Sequence, residues 1–133
     1  MRSLFPILVL AVACHSEDAL KTFNTNPEAT ITSHQNGDTV LEGYVTTFRG
    51  VVSDANHQSN ELEVTWFSGD DIICQKTTPQ TDGSTSCEYT INPTDETIIL
   101  QVSDIQNASG TAILSLEVGP TEAPKLEIWF HSI

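Results

Sequence analysis

The sequence predicts an all-β protein, an antiparallel β-sandwich of about seven short strands. Apolar and polar residues alternate over several short segments, and turn-forming residues separate these segments at intervals of about 8 to 12 residues. Threonine, valine and isoleucine, which favour strands, dominate the apolar-leaning segments. No segment shows a convincing helical period, so the chain is expected to fold by stacking two sheets.

The segment ELEVTW at 61–66 has the cleanest alternation, with Leu62, Val64 and Trp66 on one face and polar residues on the other. Turns are predicted around residues 36–38 (NGD) and 82–83. Further strands are predicted at 29–32 (ATIT), 44–54 (YVTTFRGVVSD), 71–74 (DIIC), 86–91 (SCEYTI), 97–104 (TIILQVSD) and 110–118 (GTAILSLEV). The core is expected to contain Phe48, Trp66, Leu100 and Leu114.

Four stretches in this pattern resemble a known class of domain. FRGVVSD, LEVTWFSG, TIILQVSD and NASGTAILSLEV are similar to the bacterial Ig-like and PKD-like repeats of large secreted and surface proteins. The resemblance covers residues 28–119 and implies an Ig-like sandwich in which Trp66 packs over the core. The PKD-like motif WDFGDG is replaced here by WFSGDD, so the broader description, Ig-like, fits better.

The composition is strongly acidic, with 18 acidic against 5 basic residues and a formal net charge of −13. Such a charge repels phosphate backbones and argues against a nucleic-acid partner. The sequence has no G-x-S-x-G motif, no glycine-rich phosphate loop and no histidine pair at zinc-ligand spacing. We therefore expect a protein that is not an enzyme and has no catalytic residues.

The N-terminus has the features of an export signal. Arg2 precedes an apolar run from Leu4 to Val12 that is too short to span a bilayer. The tetrapeptide AVAC, ending at Cys14, resembles a bacterial lipobox. This resemblance implies a lipoprotein signal peptide at 1–13 and cleavage before Cys14, whose thiol carries diacylglycerol and whose amino group is acylated, for example with palmitate. A plain secretory signal is the alternative.

Residues 14–27 are then an acylated cysteine and a polar tether between the bilayer and the domain. By resemblance to the sorting rule of enteric bacteria, His15 after the cysteine implies the outer membrane, on its periplasmic or its surface face. The predicted localisation is the cell envelope, with the lipid bilayer as a partner through Cys14.

The C-terminal segment 120–133 is predicted to be a linker followed by the truncated start of a second repeat. Three residues of the first repeat recur 97 positions later: Pro27, Ile31 and His34 as Pro124, Ile128 and His131. The alternative is that this segment completes the edge of the sandwich.

Two groups of side chains are candidate sites. Cys74 and Cys87 are expected to form a disulfide in an exported domain. Asp54 and Asp104 each end a VSD strand at the same pole of an Ig-like sandwich. With Asn56 and Asn107 they form a candidate calcium site, because Ca²⁺ prefers oxygen ligands. The alternative is that both aspartates cap their own turns through Asx hydrogen bonds.

Together these observations predict a membrane-anchored lipoprotein whose Ig-like domain is a spacer or a binding or adhesion module, with a protein or glycan ligand. The alternative function is a small periplasmic inhibitor or accessory subunit of an envelope enzyme. No cofactor is required in either case, although calcium is a candidate.

Overall fold

A computed structural model describes residues 23–121. The predictions for 1–22, including Cys14 and the signal peptide, and for 122–133 lie outside the described residues. The described chain contains one 3-10 turn, Ser59–Glu61, and no helix in it is long and apolar enough to cross a membrane. It has nine strands: β1 (Glu28–Ile31), β2 (Thr39–Leu41), β3 (Val45–Ser53), β4 (Glu63–Ser68), β5 (Asp71–Thr77), β6 (Ser84–Thr90), β7 (Thr97–Ser103), β8 (Ser109–Ser115) and β9 (Glu117–Gly119).

The strands form two antiparallel sheets and one small parallel pair. The first sheet has the order β1-β3-β6, the second the order β5-β4-β7-β8, and β2 pairs with β9. This arrangement confirms the predicted all-β sandwich.

Side chains from both sheets fill the interior. Phe48 of β3 and Trp66 of β4 stack with ring centroids 6.2 Å apart. The Trp66 indole Nε1–H donates to the Thr85 hydroxyl at 3.2 Å, so its polar atom is satisfied in the core. The predicted core is confirmed, because Phe48, Trp66, Leu100 and Leu114 are all buried. Alternation predicts burial well in β4 and β7 because each has one face against the opposite sheet.

The strand count differs from the sequence expectation because two three-residue strands carry no visible period. The stretch 110–118, predicted as one strand, is divided at Leu116, whose backbone N–H donates to the carbonyl of Glu96. The chain beyond Leu116 forms β9, which pairs in parallel with β2. In this pair Thr39 lies opposite Glu117. The sandwich thus contains a parallel pair that the antiparallel prediction did not include.

The chain enters and leaves the sandwich at opposite ends. We call the end with the loop 54–62 and the turn 104–108 the N-terminal pole. Here Glu28 pairs with Ser53, and the carbonyl of Pro27 lies so close to Gly110 that no side chain fits there. We call the end with the turn 42–44 the C-terminal pole. Here the Thr121 hydroxyl donates to the carbonyl of Glu42 at 2.8 Å.

Candidate functional site

The two aspartates predicted to meet do lie together at the N-terminal pole. Asp54 follows β3 in the first sheet, and Asp104 follows β7 in the second sheet. Both side chains are fully buried, and the ring of His57 lies against both carboxylates. The site is therefore built where one loop from each sheet meets.

Asp104 organises its own turn and holds the entering chain. Its Oδ1 accepts backbone N–H groups of Gln106 at 2.8 Å and Ala108 at 2.9 Å. Its Oδ2 accepts the side-chain amide of Asn24 at 2.8 Å. Burial by itself raises the pKa of Asp104, but these hydrogen bonds and the nearby His57 outweigh burial and hold the pKa below its ordinary value.

His57 bridges the two carboxylates. Its Nδ1 lies 3.0 Å from Asp54 Oδ2 and 3.6 Å from Asp104 Oδ2. The hydrogen bond to Asp54 raises the pKa of His57 above its ordinary value. Burial opposes this rise, and the charges of Asp54, Asp104 and Glu61 add to it. The imidazole is therefore held in its protonated form to a higher pH than in an exposed position.

The two predicted amide ligands are placed differently. The Asn56 Oδ1 accepts both the backbone N–H and the hydroxyl of Thr25, each at 2.8 Å, so it anchors the entering chain. Asn107 has a left-handed backbone with φ of 68°, and its N–H donates to the Asp104 carbonyl. The Asx hydrogen bonds of the alternative prediction are present, from the N–H of Asn56 to Asp54 and of Gln106 to Asp104. Calcium binding by Asp54, Asp104, Asn56 and Asn107 stays a prediction.

Sequence reasoning missed His57 and Asn24. His57 stands three residues after Asp54, a spacing that returns the ring to the carboxylate when the loop turns. The contact between Asn24 and Asp104 joins residues 80 positions apart, and no local pattern reveals such a pair.

The predicted disulfide is present in the structure. It links Cys74 of β5 to Cys87 of β6 with a Cα–Cα distance of 5.9 Å. These strands are the edge strands of the two sheets, and no strand pairing joins them in the described chain. The disulfide therefore ties the two layers together along one side of the sandwich, and neither cysteine is a free thiol.

Replacing Asp104 with alanine is expected to lower Tm by about 5–10 °C, because it leaves two backbone donors and the Asn24 amide without a buried acceptor. Thermal unfolding in EDTA, followed by circular dichroism, measures this fall in Tm. Asp70→Ala, in the exposed turn between β4 and β5, is the matched control and should change Tm by about 1–2 °C at most. Equal shifts for the two variants would contradict the anchoring role of Asp104.

No protein family matches the chain by its sequence profile, and no curated protein sequence matches it. Solved structures do match the chain in their fold. The fibronectin(III)-like modules of CbhA from Clostridium thermocellum align with a TM-score of 0.55 at 12% identity, over 72% of this chain and 48% of theirs. Titin kinase with its flanking domains aligns with a TM-score of 0.52 at 16% identity, over 73% of this chain and 17% of that one. A mutant titin–obscurin-like 1 Ig complex aligns with a TM-score of 0.50 at 15% identity, over 75% of this chain and 99% of that one.

These likenesses establish the fold and nothing beyond it, because identity is low throughout. The described residues form an Ig-like β-sandwich, as the sequence resemblance implied. The chain spans less than half of the CbhA chain and about a sixth of the titin kinase chain.

Proposed function

We propose that the chain is a non-enzymatic, lipid-anchored Ig-like module of the bacterial cell envelope, a spacer that holds a binding surface away from the membrane. One observation carries the proposal. The polypeptide enters at one pole of the sandwich and leaves at the other, so the domain extends the chain along its length. A module with this path separates whatever precedes it from whatever follows it.

The N-terminal pole is the end that an acylated Cys14 would hold near the bilayer. Asn24 and Thr25 are fixed to this pole by their bonds to Asp104 and Asn56. Residues 15–23 separate Cys14 from this anchor, and nine extended residues reach at most about 30 Å. The nine residues of β3 then add roughly 30 Å to the far pole at about 3.4 Å per residue.

The C-terminal pole presents apolar side chains to solvent. Leu41, Tyr44 and Val45 are 44%, 54% and 65% exposed, and they lie around the turn 42–44. A tyrosine flanked by aliphatic side chains offers apolar area together with a hydroxyl, a combination suited to a protein or glycan ligand. This pole is the surface that the spacer would display.

The interior of the sandwich supports a non-catalytic role. The core is filled by the domain's own side chains, and the disulfide leaves neither Cys74 nor Cys87 as a nucleophile. A disulfide in a small domain is also typical of an oxidising compartment outside the cytoplasm.

Mass spectrometry of the full chain produced in a Gram-negative host tests the proposal. We expect a mature N-terminus at Cys14 carrying diacylglycerol and an N-acyl chain, and recovery in the membrane fraction. Several acyl chains hold a protein on a bilayer almost irreversibly, at about 0.8 kcal/mol per buried methylene. The Cys14→Ser variant should lose the lipid and the membrane association. Its matched control, Ser16→Ala, should retain both.

Recovery of the parent protein in the soluble fraction with an unmodified Cys14 would overturn the anchored part of this proposal. A Cys14→Ser variant that is processed and fractionates like the parent would do the same.

A further inference from the structure

Three metal-ligating atoms converge at the N-terminal pole. One ligand atom each from Asp54, His57 and Asp104 lies within 4.8 Å of the others. The His57 Nδ1 is 3.0 Å from the Asp54 carboxylate and 3.6 Å from the Asp104 carboxylate. In a tetrahedral zinc site, ligands at about 2.0–2.1 Å from the metal are separated by about 3.3 Å, a value that these two distances bracket.

The charges of the cluster favour a divalent cation. The side chains of Asp54 and Asp104 are 0% exposed, and the His57 side chain is 8% exposed. Hydrogen bonds from Asn24 and two backbone N–H groups stabilise the Asp104 carboxylate, but among residues 23–121 His57 is the one cationic side chain within 4.0 Å of either carboxylate. One imidazolium offsets one of the two negative charges, whereas a divalent metal offsets both.

We propose that Asp54, His57 and Asp104 form a binding site for Zn²⁺. The nitrogen ligand distinguishes this site from the predicted calcium site, since calcium takes oxygen ligands and imidazole suits zinc. On binding, the Nδ1 proton of His57 passes to solvent. The nitrogen lone pair then contacts the metal between the two carboxylates in place of the hydrogen bond to Asp54.

The cluster borders solvent on the side of His57. A depression of about 290 Å³ lies over His57 and is lined by Asn24, Asn56, His57 and Gln106. It brings solvent to the His57 ring, and the Asn24 side chain, 2.8 Å from Asp104 Oδ2, borders the same space. With three protein ligands, one water molecule reaching the metal from this side would complete the four-coordinate tetrahedral shell that zinc takes.

Zinc at this site would link the loop after β3 to the turn after β7, and thereby the two sheets, at the pole where the chain enters. This inference does not depend on lipidation, because all three ligands lie within the sandwich.

Isothermal titration of the untagged full chain with ZnCl₂ tests the site. All samples carry Cys14→Ser, so that the remaining cysteines are held in the disulfide, and all are first stripped with EDTA. We expect one zinc per chain and a rise in Tm in saturating zinc. His57→Gln and Asp104→Asn should each weaken binding by about tenfold or more. His34→Gln is the matched control, since His34 lies against Ser33 and Phe48, and it should bind as the parent does.

Co²⁺ supplies a second readout on the unsubstituted site, so the test does not depend on a variant that fails to fold. We expect the intense visible bands of tetrahedral cobalt, and their loss when zinc is added. Absence of saturable zinc binding at about 100 μM would overturn the proposal, because zinc sites with three protein ligands bind far more tightly. Equal zinc affinity of His57→Gln and the parent, or tighter binding of calcium than of zinc, would overturn it as well.

Discussion

Replacing Trp66 with alanine is expected to lower the free energy of unfolding by about 4 kcal/mol, because the largest fully buried side chain of the core is lost. The side chain is 1% exposed, stacks on Phe48 across the two sheets, and donates to Thr85. Alanine leaves a cavity between the layers and an unpaired hydroxyl on Thr85, which is itself buried. Domains of this size are stable by roughly 5–15 kcal/mol, so the variant loses a large part of its stability.

Urea unfolding followed by far-ultraviolet circular dichroism measures this loss without relying on indole fluorescence. Trp66→Phe is the matched variant, because it keeps one aromatic ring in the core while it removes the donor to Thr85 and the second ring of the indole. It should cost about 1–2 kcal/mol. Ile113→Ala, on a side chain that is 63% exposed, should change stability by less than about 1 kcal/mol. A Trp66→Ala variant no less stable than Ile113→Ala would show that Trp66 does not hold the two sheets together.

The main strands were predictable because their environment is one-sided. In β4 and β7 one face packs against the opposite sheet, so burial imposes an apolar–polar alternation that is visible in the sequence. β2 has three residues and a single buried one, Val40, which is too short to display a period. Its parallel pairing with β9 depends on where two distant segments meet, and no local residue pattern carries that information.

The candidate site was predictable in part for a related reason. Asp54 and Asp104 follow strands that end at one pole of the sandwich, so the fold itself brings them together. His57 and Asn24 lie in segments whose course is set by hydrogen bonds to those aspartates. A loop conformation of this kind follows from tertiary contacts rather than from residue preference, so the ring between the two carboxylates was not foreseen.

Reducing the Cys74–Cys87 disulfide is expected to lower the free energy of unfolding by about 3 kcal/mol. The bond joins residues 13 positions apart, and opening it restores conformational freedom mainly to the unfolded chain. Its position adds a second cost. β5 and β6 are edge strands of different sheets with no pairing between them, so after reduction side-chain packing and the hydrogen bond from Trp66 to Thr85 hold the layers together on that side.

Urea unfolding with and without dithiothreitol, in the Cys14→Ser background, measures the effect on one sequence and prevents exchange with a third thiol. The reduced chain should unfold at lower urea and with a larger m value, because its unfolded state exposes more surface once the link is open. Cys74→Ala/Cys87→Ala is the companion variant. Because Cys87 is 2% exposed, this variant should lose slightly more stability than reduction does, by the small cavity left at that position. An unchanged urea midpoint on reduction would mean that core packing alone fixes the two sheets and that the disulfide contributes nothing to their association.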